Sequence, residues 1–322
     1  MKRAFTLLEL VVVIVVLGII AMMSFNAIMN IYSNYFQTKT VNELETQTEI
    51  ALEQISKRLE HRIKPSVIAR KTDGAFLALN DSGVNLNAEY EILEFIPYAY
   101  EIFNDVISLD ANDHVIEQGG KAGRYSGYAD LAKSSPATGL ISPGSNFTTG
   151  VVETIKDLTC RGETRDATCV DFTKKDGGVV AIFSDVYYNV QSSFGYSNGT
   201  VPVSLDIAKV GVKSTDGDTL EISGFGGKQI SEQYHLAYTA NAIVPEQSAD
   251  PKDAANGVFD LNLYYDYRPW MGEKYKPNGE KATLAKNVTR FVFTEKNGVI
   301  VLKLCMRAKN SEITICKSKA VY

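Results

Sequence analysis

Basic residues are not in excess in this chain. Lys and Arg number 33 against 38 Asp and Glu, a formal net charge of −5. A general nucleic-acid-binding surface carries a basic surplus, so that class is disfavoured. The one basic stretch, Lys57–Lys71, is local. Histidine is scarce as well. His61, His114 and His235 are scattered without metal-ligand spacing. His61 lies among Lys57, Arg58, Arg62 and Lys64, and reads as part of a solvated basic helix end. Phosphate and nucleophile signatures are missing. Gly119-Gly120-Lys121 has Val115 where a phosphate loop needs Gly, and no G-x-S-x-G elbow occurs. Asp110-Ala111-Asn112-Asp113 and Asp216-Gly217-Asp218 could take calcium. Neither fits the twelve-residue calcium loop, and Asp- and Gly-rich turns account for both. No catalysis and no cofactor are expected, calcium being the one candidate ion.

The chain does contain one long apolar run. From Leu10 to Met23 every residue is apolar or Gly, and Phe5–Met23 is 19 residues, enough for one membrane-spanning helix. Lys2 and Arg3 precede it, and the next basic residue is Lys39. The excess of positive charge on the cytoplasmic side then puts the N-terminus in the cytoplasm and everything after about Asn30 across the membrane. Glu9 interrupts this run. A charged side chain at the centre of a spanning helix costs about 2.5–3.5 kcal/mol. A secretory signal peptide fits poorly. Cleavage after Ala27 or Ser24 would put Phe25 or Met22 where a small residue is needed. A single-pass anchor, with Glu9 snorkelling to the interface, is the plain alternative.

Lys2-Arg3-Ala4, then Phe5-Thr6-Leu7-Leu8-Glu9, then hydrocarbon, resembles the class III signal of type IV prepilins and type II secretion pseudopilins. The resemblance implies that a membrane peptidase cuts between Ala4 and Phe5 and methylates the new amine of Phe5. Ala4 departs from the pattern, since Gly is usual there. The resemblance also implies a role for Glu9. A free α-amine is cationic near neutral pH, and an assembling filament places the Glu of one subunit opposite the amine of a neighbour. Burying one partner alone would cost several kcal/mol, so the pair would set registry during assembly. The implied partners are homologous major and minor pilins or pseudopilins, the prepilin peptidase and an inner-membrane assembly platform. The implied location is the bacterial inner membrane, with a periplasmic head, and then the filament. A long chain that keeps this Glu is most similar to J-type or W-type minor subunits; the K-type tip subunit typically lacks it.

Beyond Met23 the pattern becomes amphipathic. Val41, Leu44, Thr48, Leu52, Ile55, Leu59 and Ile63 share one helix face. Glu53–Lys57 and Glu60–Lys64 are spaced as i,i+4 ion pairs. Pro65 should stop the helix, because the residue before a proline avoids the α region. A single helix over Phe5–Lys64 would be about 90 Å long. The expected divisions are a leader, 1–4; the helix, 5–64, with a membrane or filament-core part, 5–27, and an amphipathic part, 28–64; and a β-rich head, 65–322.

Strands are expected at Tyr90–Ile96, Val179–Phe183, Val203–Val212, Thr219–Phe225, Tyr234–Ile243, Phe259–Tyr267, Val288–Thr294, Val299–Arg307 and Ile313–Lys317. A long helix followed by antiparallel strands is an α+β layout. It is similar to the pilin architecture, with large loop insertions. Tyr264, Tyr265 and Tyr267 read as core, with Trp270 as an exception that could be exposed.

The four cysteines are Cys160, Cys169, Cys305 and Cys316. With Asn310-Ser311 as the turn of a hairpin, Cys305 faces Cys316 directly, and opposite positions can reach disulfide geometry. That leaves Cys160–Cys169 by elimination and proximity. Four buried thiols are the alternative; zinc is disfavoured, because no close C-x₂₋₄-C pair exists.

The leading functional expectation is a minor subunit that works by assembly. A ligand-binding tip adhesin or DNA-uptake subunit is the second, and a membrane-tethered periplasmic enzyme the third.

Overall fold

The computed structural model describes residues 7–81, 89–103, 124–160, 169–196, 205–213, 217–226, 229–309 and 311–322. Helix α1 spans Leu7–Glu60 without a break. Its buried residues are Leu44, Thr48, Ala51, Leu52, Ile55, Ser56 and Leu59; five of them belong to the expected stripe, Ala51 and Ser56 widen it, Val41 is half-buried, and Ile63 is buried just beyond the helix. The helix ends four residues before the expected stop. Ile63 has already turned to donate its backbone N–H to Ile96 O at 2.9 Å, and Arg62 pairs with Pro97. Pro65 sits instead in a short 3₁₀ turn, Lys64–Ser66.

Among the described residues the strands are β1 (Ile68–Lys71), β2 (Phe76–Ala78), β3 (Tyr90–Phe95), β4 (Leu140–Ile141), β5 (Val179–Phe183) and β6 (Ala208–Val212). They continue with β7 (Thr219–Ser223), β8 (Tyr234–Ala237), β9 (Ala240–Gln247), β10 (Phe259–Tyr267), β11 (Glu280–Lys296), β12 (Val299–Arg307) and β13 (Thr314–Val321). A second helix, α2, spans Val152–Thr159 between β4 and β5. Eight strands form one sheet in the order β13-β12-β11-β10-β9-β3-β1-β2, and five form another, β4-β7-β6-β5-β8. Every pairing between these strands is antiparallel. The expected helix-on-sheet layout is therefore present, and the insertions carry a second sheet.

The layers follow from side-chain alternation. One core joins the α1 stripe to Ala69, Leu93, Phe95, Ile243, Leu302 and Leu304 of the larger sheet. The opposite face of that sheet, through Ile68, Ile92, Ala242 and Val244, packs on Val180 and Ile182 of β5. The other face of β5, Val179, Ala181 and Phe183, packs with Ile155 of α2. The order is thus α1, larger sheet, smaller sheet, α2. Strand β5 is apolar at all five positions because both its faces are covered.

One buried ion pair lies in the layer between the sheets. Arg70 Nε donates to Glu94 Oε2 at 2.7 Å, and Tyr267 donates its hydroxyl to Glu94 Oε1 at 2.8 Å. The remaining Arg70 donors reach Gly74 O and Tyr196 O. Trp270 is fully buried, contrary to the exposure allowed for it; its indole N–H donates to Gly178 O at 3.0 Å. Gly195 makes this possible. At φ +81° it lies so close to Pro269 that a Cβ would stand 2.5 Å from the Pro269 carbonyl oxygen.

Of the two expected helix ion pairs, Glu53 bonds to β13 instead, and Lys64 lies beyond the helix end. Lys317 reaches Glu49 at 2.8 Å, and Lys319 bonds Glu53. Cys305 stands opposite Cys316 in the β12–β13 ladder, and the two are bonded. Cys160 and Cys169 form the second disulfide.

Candidate functional site

The N-terminal part of α1 makes no core. Every residue from Leu7 to Lys39 is exposed, a projection of about 50 Å. This stretch is long and apolar enough to cross a membrane. Glu9 lies in the first turn of α1, where the unpaired N–H groups of a helix favour negative charge. It is the only charged residue between Arg3 and Lys39. Tyr32, Tyr35 and Phe36 are exposed farther along, with the Tyr32 and Phe36 rings 6.3 Å apart. Ala4 and Phe5 lie outside the described residues, as do Asp110–Asp113, Asp216 and His114. Asp218 accepts a hydrogen bond from the Thr219 hydroxyl at 3.2 Å.

A groove of about 770 Å³ opens at the other end of α1. Five pieces of chain meet there, one of them α2 through Leu158. The last turns of α1 bring Lys57 and Arg58, with His61 just beyond. The segment after β3 brings Tyr98, Tyr100 and Glu101, and the corner between β8 and β9 brings Tyr238 and Thr239. Strand β10 supplies Tyr265 and Asp266 from an irregularity in its pairing with β9. Asp266 has φ +56° and donates its N–H to Thr239 Oγ1 at 2.8 Å. That bulge turns Tyr265 toward the groove.

His61 is not the solvated residue expected from its basic neighbours. Its ring stacks on Tyr100 with centroids 4.0 Å apart, and Nδ1 is 3.1 Å from the Tyr98 hydroxyl. Burial pushes the Glu101 carboxyl above its usual range, while hydrogen bonds from Tyr238 and Tyr100 act in the opposite direction. Burial likewise lowers His235, whose ring lies 5.0 Å from that of Tyr98. The groove has no local sequence signature. Its aromatic residues come from positions far apart in the chain and meet only through sheet pairing. A bulge and a two-residue corner between strands were the missing signals.

Residues 1–25 match the family described as the prokaryotic N-terminal methylation motif. That signal defines a substrate of prepilin peptidase. By this signal the chain is similar to type IV pilins and pseudopilins. No curated protein matches the chain, and no solved structure does.

Proposed function

We propose that this protein is a minor pilin or pseudopilin subunit. It is cut between Ala4 and Phe5, methylated on Phe5, and assembled with homologous subunits into a type IV pilus or a type II secretion pseudopilus, or primes that assembly. The observation that carries this reading is Glu9: one carboxylate in the first turn of an exposed apolar helix, within the signal matched at residues 1–25. The amine of Phe5 on a neighbouring subunit is its assembly partner. The N-terminus faces the cytoplasm and the head the periplasm, as Lys2 and Arg3 direct. Assembly-platform proteins of the inner membrane are the other partners. The subunit acts by assembly, without catalysis or a cofactor, and nucleic acid is not its ligand.

Two features of α1 support the filament over a simple anchor. The exposed stretch is about 50 Å long, more than the roughly 30 Å of a bilayer core. Its distal part, with Ser24, Asn26, Asn30 and Asn34, is polar yet uncharged, as suits packing against other helices.

The test is N-terminal analysis of the protein from cells with and without prepilin peptidase. A mature chain beginning with N-methylated Phe5, only where the peptidase is present, is the expected result. A chain beginning elsewhere overturns the proposal.

A further inference from the structure

We propose that the groove at the distal end of α1 is a binding site for a neutral oligosaccharide. Its volume, about 770 Å³, is in the range of small-molecule sites and holds a short glycan. The chemistry of the lining identifies the ligand class. Tyr100 and Tyr265 are 44% and 37% exposed, although both line a groove with a packed floor. An exposed tyrosine ring offers an apolar face on which the C–H face of a sugar ring can lie, and a hydroxyl for its rim. Tyr100 is held for this use, since its other face is stacked on His61. Glu101, Asn241 and Asp266 also line the groove. Carboxylates and amides pair with adjacent sugar hydroxyls as acceptors and donors.

Charge argues for a neutral ligand. Lys57 and Arg58 on one wall are balanced by Glu60, Glu101 and Asp266. A polyanion would meet three carboxylates, and a cation would meet two basic side chains. An extended peptide would need a free strand edge, and β9 and β10 are both interior strands of the larger sheet. The proposal is independent of the assembly reading: the groove is built without any residue of the processing signal.

The test uses the full-length protein in detergent, applied to an array of defined neutral, sialylated and sulfated oligosaccharides. Hits are titrated by calorimetry. The expected result is binding of a neutral oligosaccharide that weakens at least tenfold in Tyr100→Ala and in Tyr265→Ala. Tyr187→Ala, on a residue 82% exposed outside the groove, should bind as the parent does. Circular dichroism establishes that each variant is folded. Three results would overturn the proposal: no neutral glycan bound, binding by the two alanine variants equal to that of the parent, or binding confined to sulfated and sialylated glycans and abolished by Arg58→Gln.

Discussion

Three side chains carry sharply different electrostatic problems. Glu9 sits in the apolar part of α1, and the proposed function pairs it with the Phe5 amine of a neighbouring subunit in an assembled filament. Glu9→Ala should leave the protein in the membrane fraction and lower its incorporation into filaments severalfold, measured by immunoblotting of sheared filaments. Normal incorporation would remove the pairing role. Glu94 has its partners within the head. It is 2% exposed and bonded to Arg70 and Tyr267. Glu94→Ala strands the Arg70 guanidinium between two sheets and should cost about 3–5 kcal/mol in urea unfolding. Glu246 is nearer the surface. Burial raises its carboxyl, but Lys281, Tyr264 and Lys276 more than offset this and hold it at about 2, against an ordinary 4.5. A depressed carboxylate stabilises fully above its unfolded value and loses that contribution as pH falls toward the folded one. Lys276 and Lys281 are about half exposed, so solvent limits the effect. Glu246→Gln should cost about 1 kcal/mol at pH 7, and the difference should shrink toward zero near pH 2, measured by urea midpoints.

At the scale of elements, α1 is one helix with two environments. Leu52 is in the head core, whereas Leu17 is 59% exposed. Leu52→Ala should destabilise the head by about 2–5 kcal/mol, while Leu17→Ala should leave its unfolding midpoint unchanged. Equal effects would contradict this division. Much of this element was legible in sequence, because a buried stripe leaves a 3–4 spacing. Strands β5, β10 and β12 also begin and end where alternation or a bounded apolar run places them. Tyr234–Ile243 was expected as one strand but is divided between two sheets at Tyr238-Thr239. Both halves are apolar, and no Gly or Pro marks the corner. Strand β11 starts eight residues before the expected Val288, since its early part alternates between exposed and half-buried positions and has little apolar signal. Strands β1 and β2 are short, and β1 hides its register behind Arg70, whose charge is neutralised only by the distant Glu94.

The molecule as a whole joins a specific signal to an unmatched head. The signal is local, so 25 residues suffice to recognise it. The head is four layers deep, and its groove depends on contacts between segments up to about 200 positions apart, which no local pattern encodes. That depth also governs how the protein bears mechanical load. A subunit pulled along α1 transmits tension to β13, which Lys317 and Lys319 tie to Glu49 and Glu53. Strand β13 is at the sheet edge, where a pulled strand peels one hydrogen bond at a time. Peeling from Val321 would pass Lys317 and then meet Cys316, where the covalent bond to Cys305 hands the force to β12, an interior strand. The terminal hairpin therefore acts as a stop on a zipper, allowing a short stretch to yield while the fold behind it holds.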